Sequence, residues 1–228
     1  MREYTVQRSS LNFTWTFDRM LPSLPGPGSP AFAELCKGLH LYGMIPSMVT
    51  VDTPTIRFGD LNVGIGLLDN RVTVRFTSAA IEIFVNELLV GDEEKFISIA
   101  DLVFAAVRAI DPDATQGKAA LRAYSHLKLP PGEVDRMLEE HSNYTQHVPA
   151  FIPDAVVYKV SLEESRAKQL RVAIAKSLAY PDAVFIDINA DYDGPITSAE
   201  LAEEMNHDSE RIMEKLSLAE APEPSEIL

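Results

Sequence analysis

Between Val184 and Leu201 the chain reads VFIDINADYDGPITSAEL, with oxygen-bearing side chains at two-residue intervals. Asn189, Asp191 and Asp193 fit positions 1, 3 and 5 of a calcium loop. Gly194 fits the sharp turn at 6, Ile196 the apolar position 8 and Glu200 the closing position 12. A hard cation needs several oxygen ligands at short range, and alternate residues of a tightly turned loop converge theirs on one point. The spacing therefore predicts a divalent-cation site at Asn189, Asp191, Asp193 and Glu200. Calcium suits it better than magnesium, which keeps waters and substrate phosphates. Such a site would serve regulation or metal-dependent hydrolysis.

The same residues admit a second reading. Val184, Ile186 and Ile188 alternate with Phe185, Asp187, Asn189 and Asp191, which is the period of a strand with one solvated face. Thr197-Ser198-Ala199-Glu200 has the spacing of a capping box, and a glutamate that caps a helix is not also a ligand. Asn189 removes a formal charge a calcium site would use. A paired-carboxylate enzyme is a third reading: Asp187, Asn189 and Asp191 share a strand face with Glu200 nearby, and crowding like charges raises one pKa. The solvated strand face needs the fewest assumptions.

Elsewhere the chemistry is sparse. The chain has no phosphate-binding Walker loop, no Gly-x-Ser-x-Gly elbow and no paired-histidine zinc helix. Gly64-Ile65-Gly66 lacks the third glycine of a dinucleotide loop and lies in an alternating run. Glu139, Glu140, His141 and His147 form a local group of potential ligands, but adjacent helical residues diverge. His126 alternates with Leu127 as a sheet residue, and His207 pairs with Glu203 and Glu204 on a helix surface. Cys36, the single cysteine, lies with His40 beside Leu35 and Leu39, as a structural thiol does. One cysteine excludes an internal disulfide and fits a reducing, cytoplasmic setting.

The 228 residues carry 46% hydrophobic and 24% charged side chains, a globular composition, with a net charge of −14. From Asp182 to Leu228 thirteen Asp and Glu face Arg211 and Lys215, a net −11. That field disfavours direct binding to nucleic acid or an anionic membrane and suits a protein partner with a basic surface. Glu203, Glu204 and Glu210 are the candidate partner-binding residues. No apolar run reaches membrane-spanning length.

The elements that must position these groups follow from periodicity. Leu11, Phe13, Trp15 and Phe17 alternate as a buried strand, and Ser29-Pro30 opens a helix with Phe32, Leu35 and Leu39 inward and Gly43 as its stop. Val63, Ile65 and Leu67 face Val72, Val74 and Phe76 across a two-residue turn at Asp69-Asn70. Ile81 to Val85 adds a strand and Phe96 to Ile110 a helix. A strand from Leu121 to Leu129, a short acidic helix or loop from Pro130 to His141, strands at Val156–Leu162, Gln169–Leu178 and Val184–Asp191, and a helix from Ser198 to Leu218 complete the order. This predicts a two-layer α+β protein, antiparallel sheets packed by helices, in two loosely similar halves at 1–112 and 113–219 with a flexible tail at 220–228.

The strand LRAYSHLKLP at Leu121 to Pro130, the FIDINAD strand and the closing helix with His207, Ile212 and Met213 resemble a sporadically distributed bacterial family of uncharacterised proteins. That family has a central L-R-Y-x-N-R-x-x-x-P strand, a late L-L-D-x-D strand and a closing helix with a Leu-His pair. Here Ala123 precedes Tyr124, Ser125-His126 replaces Asn-Arg, and Asn206 precedes His207. The resemblance implies an α+β fold over nearly the whole chain and an accessory role in mobile or defence-related gene neighbourhoods, and assigns no catalytic residues. The sequence as a whole predicts a non-enzymatic, protein-binding accessory or regulatory protein, with homodimerisation through a sheet edge a further expectation.

Overall fold

The alternation at Leu11, Phe13 and Trp15 is part of a longer strand than its apolar core alone implies. In the computed structural model, which describes residues 1–52, 62–89, 91–142, 154–163 and 165–221, this strand is β1, Arg2–Phe17. Then follow α1 (Pro30–Leu39), β2 (Val49–Asp52), β3 (Asn62–Leu67), β4 (Val72–Thr77), β5 (Ala80–Val85) and α2 (Glu93–Ile110). The second part of the chain gives β6 (Gln116–Lys128), α3 (Glu133–His141), β7 (Ala155–Val160), β8 (Gln169–Lys176), β9 (Ala183–Asp193), α4 (Ser198–Lys215) and β10 (Leu218–Glu220). The architecture is α+β, with helices packing on an antiparallel sheet. Hydrogen-bonded neighbours run β2-β3-β4-β5-β1-β6-β9-β8-β7, with β10 added parallel to the start of β1.

The chain forms two compact units that are interleaved in sequence. The first comprises Met1–Ser9, Arg122–Ala190 and Met205–Leu228; the second comprises Ser10–Leu121 and Asp191–Glu204. The physical reason is that β1, β6, β9 and α4 each contribute residues to both units, so no single linker separates them.

In the second unit β1 pairs with β5, placing Leu11, Phe13 and Trp15 opposite Val85, Ile83 and Ile81. All six are buried. Trp15 meets Phe104 of α2 edge-on at 5.3 Å, which fixes that helix over the apolar side of β1. Ser29 caps α1 by accepting from the Phe32 amide at 3.1 Å, and Pro30 takes the first helical position. The β3/β4 register matches Val63, Ile65 and Leu67 with Phe76, Val74 and Val72. Its turn is longer than the two residues expected: Leu68, Asp69 and Asn70 all adopt left-handed φ, and the Arg71 amide returns to the Leu68 carbonyl at 3.1 Å.

In the first unit β7 pairs with β8, and α3 packs on both through Val134, Met137 and Leu138. Arg2 joins β1 to α3 through Glu133 at 2.9 Å and Glu140 at 2.6 Å. The expected final helix stops short of Leu218, because Ser217 turns left-handed and Leu218–Glu220 then pairs with Arg2–Tyr4. The first residue of the expected tail, Glu220, is thus strand; residues 222–228 lie outside the described part, as does His147.

Candidate functional site

β6 and β9 are neighbours in the sheet, and their alternation decides which side chains meet. On β9, Val184, Ile186, Ile188, Ala190 and Tyr192 are buried, while Phe185, Asp187 and Asn189 are half-buried and Asp191 and Asp193 exposed. On β6, Leu121, Ala123 and Leu127 are buried, and Arg122, Tyr124 and His126 take the other side. Residues from the two strand motifs, far apart in sequence, are thereby brought onto one surface of the first unit.

The contacts on this surface are specific. Arg122 makes a two-pronged bond to Asp187, Nε to Oδ1 at 3.0 Å and Nη2 to Oδ2 at 2.6 Å. The same guanidinium lies over the Tyr124 ring at 4.7 Å. Tyr124 stacks on Phe185 with centroids 6.1 Å apart. His126 meets Phe185 at 5.0 Å and the edge of Tyr180, in the β8–β9 turn, at 5.2 Å. His126 Nδ1 lies 2.9 Å from the Ser177 hydroxyl oxygen. That oxygen already accepts from the Ala179 and Tyr180 amides at 3.2 and 3.0 Å. Its proton is therefore directed to Nδ1, which assigns the ring proton to Nε2.

Electrostatics agree with a neutral imidazole. Burial lowers the His126 pKa, and the positive charge of Arg8 adds to the effect. Burial raises the Tyr124 phenol, and Asp187 supports that while Arg122 opposes it. The bond to Asp187 holds the Arg122 guanidinium charged. The result is a strip of four rings, Tyr124, Phe185, His126 and Tyr180, bordered by one ion pair. It offers flat, rigid, partly desolvated area with polar tips.

The predicted metal residues fall differently. Asn189, Asp191 and Asp193 project from a continuous strand rather than converging from a loop. Glu200 Oε2 accepts from the Thr197 amide and hydroxyl, each at 2.9 Å, and the Glu200 amide donates to the Thr197 hydroxyl at 3.2 Å. This is the capping box of α4. Gly194 does adopt the left-handed φ of a sharp turn. Among the described residues no group of three or more His, Cys, Asp and Glu side chains is gathered as a metal would require. Glu203 and Glu210 are exposed on α4 and Glu204 is half-buried there. Burial raises the Cys36 thiol, opposite to the shift a nucleophilic cysteine needs, and His40 instead bonds the Met44 carbonyl at 3.4 Å.

Both strand motifs are legible in the sequence, but their meeting is not. The signal that would have joined them was the matched alternation of Arg122-Tyr124-His126 and Phe185-Asp187, complementary if β6 and β9 were neighbours. No family model matches this chain, and no curated protein matches it. Among solved structures, a rolling circle replication initiator protein from Geobacillus stearothermophilus covers 95% of this chain and 85% of its own, at 8% identity and a TM-score of 0.33. A likeness at that level carries no argument about fold or function.

Proposed function

We propose that this protein is a non-enzymatic accessory protein that binds another protein, and that the partner docks on the β6/β9 surface. The observation that carries this reading is the half-buried aromatic strip of Tyr124, His126 and Phe185 beside the Arg122–Asp187 pair. A solvated sheet face needs only short polar or β-branched residues. Aromatic rings and arginine are the groups that interfaces concentrate, because they bury much area at little entropic cost. The acidic C-terminal third gives the partner a basic character, with Glu203, Glu204 and Glu210 acting on association rate and selectivity more than on affinity.

A photo-crosslinking residue placed at Tyr124 tests the reading against the same residue placed at Arg75, on the polar sheet face of the second unit. The expected result in cells is a discrete protein adduct from position 124 and none from 75. Equal adducts from both, or from 75 alone, would overturn the docking surface. Reversing Glu203, Glu204 and Glu210 to lysine is expected to slow capture of that adduct partner and flatten its salt dependence. Unchanged kinetics would remove the electrostatic component.

A further inference from the structure

In the first unit, β7 ends the strand order, and among the described residues its outer edge pairs with no strand. Val157 on that strand is 68% exposed. Tyr158 and Val160 turn to the opposite side, opposite Val172 and Leu170 of β8, yet they are only half-buried there. Tyr158, Val160 and Val172 join Ile212 and Leu216 of α4 and its following turn around an open, mainly apolar cavity of about 260 Å3. The Tyr158 hydroxyl donates to the His141 carbonyl, so one wall of the cavity is fixed. Adjoining it through Ser161 and Lys215 is a second hollow of about 220 Å3, lined also by His207, Arg211 and Glu163. An apolar compartment thus lies next to one that holds Lys215 and Arg211 together with Glu163.

We infer that this groove binds an extended segment of a partner protein, which adds to the β7 edge and presents an apolar side chain followed two residues later by a carboxylate. Residues two apart on a strand share a face and stand roughly 6.5–7 Å apart. The apolar side chain then fills the cavity while the carboxylate reaches Lys215, which lines both compartments. The β7 edge supplies main-chain hydrogen bonds and the two compartments supply selectivity, the division of labour of strand addition. This surface is separate from the β6/β9 strip and does not depend on it.

The test pans a displayed random-decapeptide library against the full chain and measures the enriched peptides in solution. The expected consensus is an apolar residue, any residue, then Asp or Glu. Binding should slow amide exchange at Val156 to Val160, weaken by about tenfold or more in Lys215→Glu, and stay unchanged in Tyr124→Ser. No enrichment, a consensus without the carboxylate, or indifference to Lys215→Glu overturns the proposal. So does full displacement by laurate, which would assign the groove to a small amphiphile, or sedimentation as a dimer with β7 protected, which would assign it to a second copy.

Discussion

The two units treat their helix-free sheet surfaces in opposite ways. In the second unit a row across successive strands reads Thr50, Gly64, Arg75, Glu82 and Thr14. Arg75 and Glu82 meet at 3.5 Å, exposed by 55% and 37%, and Phe84 stands among Thr73 and Asn12. In the first unit the corresponding kind of surface carries Tyr124, His126 and Phe185 stacked together with a two-pronged Arg122–Asp187 pair. Both surfaces obey strand alternation, which by itself does not call for the aromatic version. The excess is what points to docking.

The comparison breaks first if the helix-facing sides are not equivalent. Phe76 in the second unit and Met137 in the first are fully buried. Replacing either by alanine is expected to cost about 2–5 kcal/mol, read from urea denaturation; a loss well under this range for one alone would show that its unit is loosely packed.

A second contrast lies between ion pairs. Asp92 is 1% exposed and bonds Arg71 and Lys95, each at 2.8 Å, and accepts from the Leu89 amide at 3.2 Å. Burial opposes its ionisation, but Lys95 and Arg71 overcome that and hold its pKa below the ordinary value. Asp92→Ala leaves Arg71 uncompensated and is expected to cost about 3 kcal/mol. Because the folded pKa is lowered, the wild-type contribution is complete above the unfolded value of about 4 and is lost as pH falls further, whereas the variant lacks that slope. Asp187→Ala, on the open surface with Arg122 46% exposed, should cost no more than about 1 kcal/mol.

The aromatic strip should matter to binding more than to folding. Tyr124→Ser with Phe185→Ser is expected to weaken capture of the crosslinked partner by more than about tenfold, some 1.4 kcal/mol, while Phe84→Ser leaves it unchanged. Equal loss from Phe84→Ser would erase the distinction between the surfaces.

Smaller effects sharpen it. Glu200→Ala is expected to lower stability by about 1 kcal/mol through loss of the cap, equally with calcium and with chelator; a calcium-dependent difference would restore the metal reading of Asn189, Asp191, Asp193 and Glu200. His126 has a lowered folded pKa, so stability should decline as pH drops below about 6.5, where the unfolded ring gains its proton first. His126→Gln should remove part of that decline. His141, lowered by burial and by Arg2, accounts for a further part in the same direction.

The order of elements was legible wherever a local rule was strong enough. Ser29-Pro30 dictated a helix start, Leu11-Phe13-Trp15 a buried strand, and Thr197 to Glu200 a capping box, each a matter of neighbours within four residues. The calcium-loop spacing was equally local but ambiguous, since a strand and a loop both place ligands two residues apart. The left-handed stretch at Leu68 to Asn70 was missed because Leu68 is a poor candidate for positive φ.

Residue type and alternation by themselves determined which side chains of β6 and β9 face together along each strand. Only the tertiary structure decided that these strands are neighbours, that Arg122 therefore meets Asp187 and Tyr124 meets Phe185, and that the compact units interleave. Periodicity is set by backbone geometry and costs nothing in sequence distance. Strand pairing over some sixty residues is chosen by the global packing of apolar faces, which no short stretch of sequence encodes.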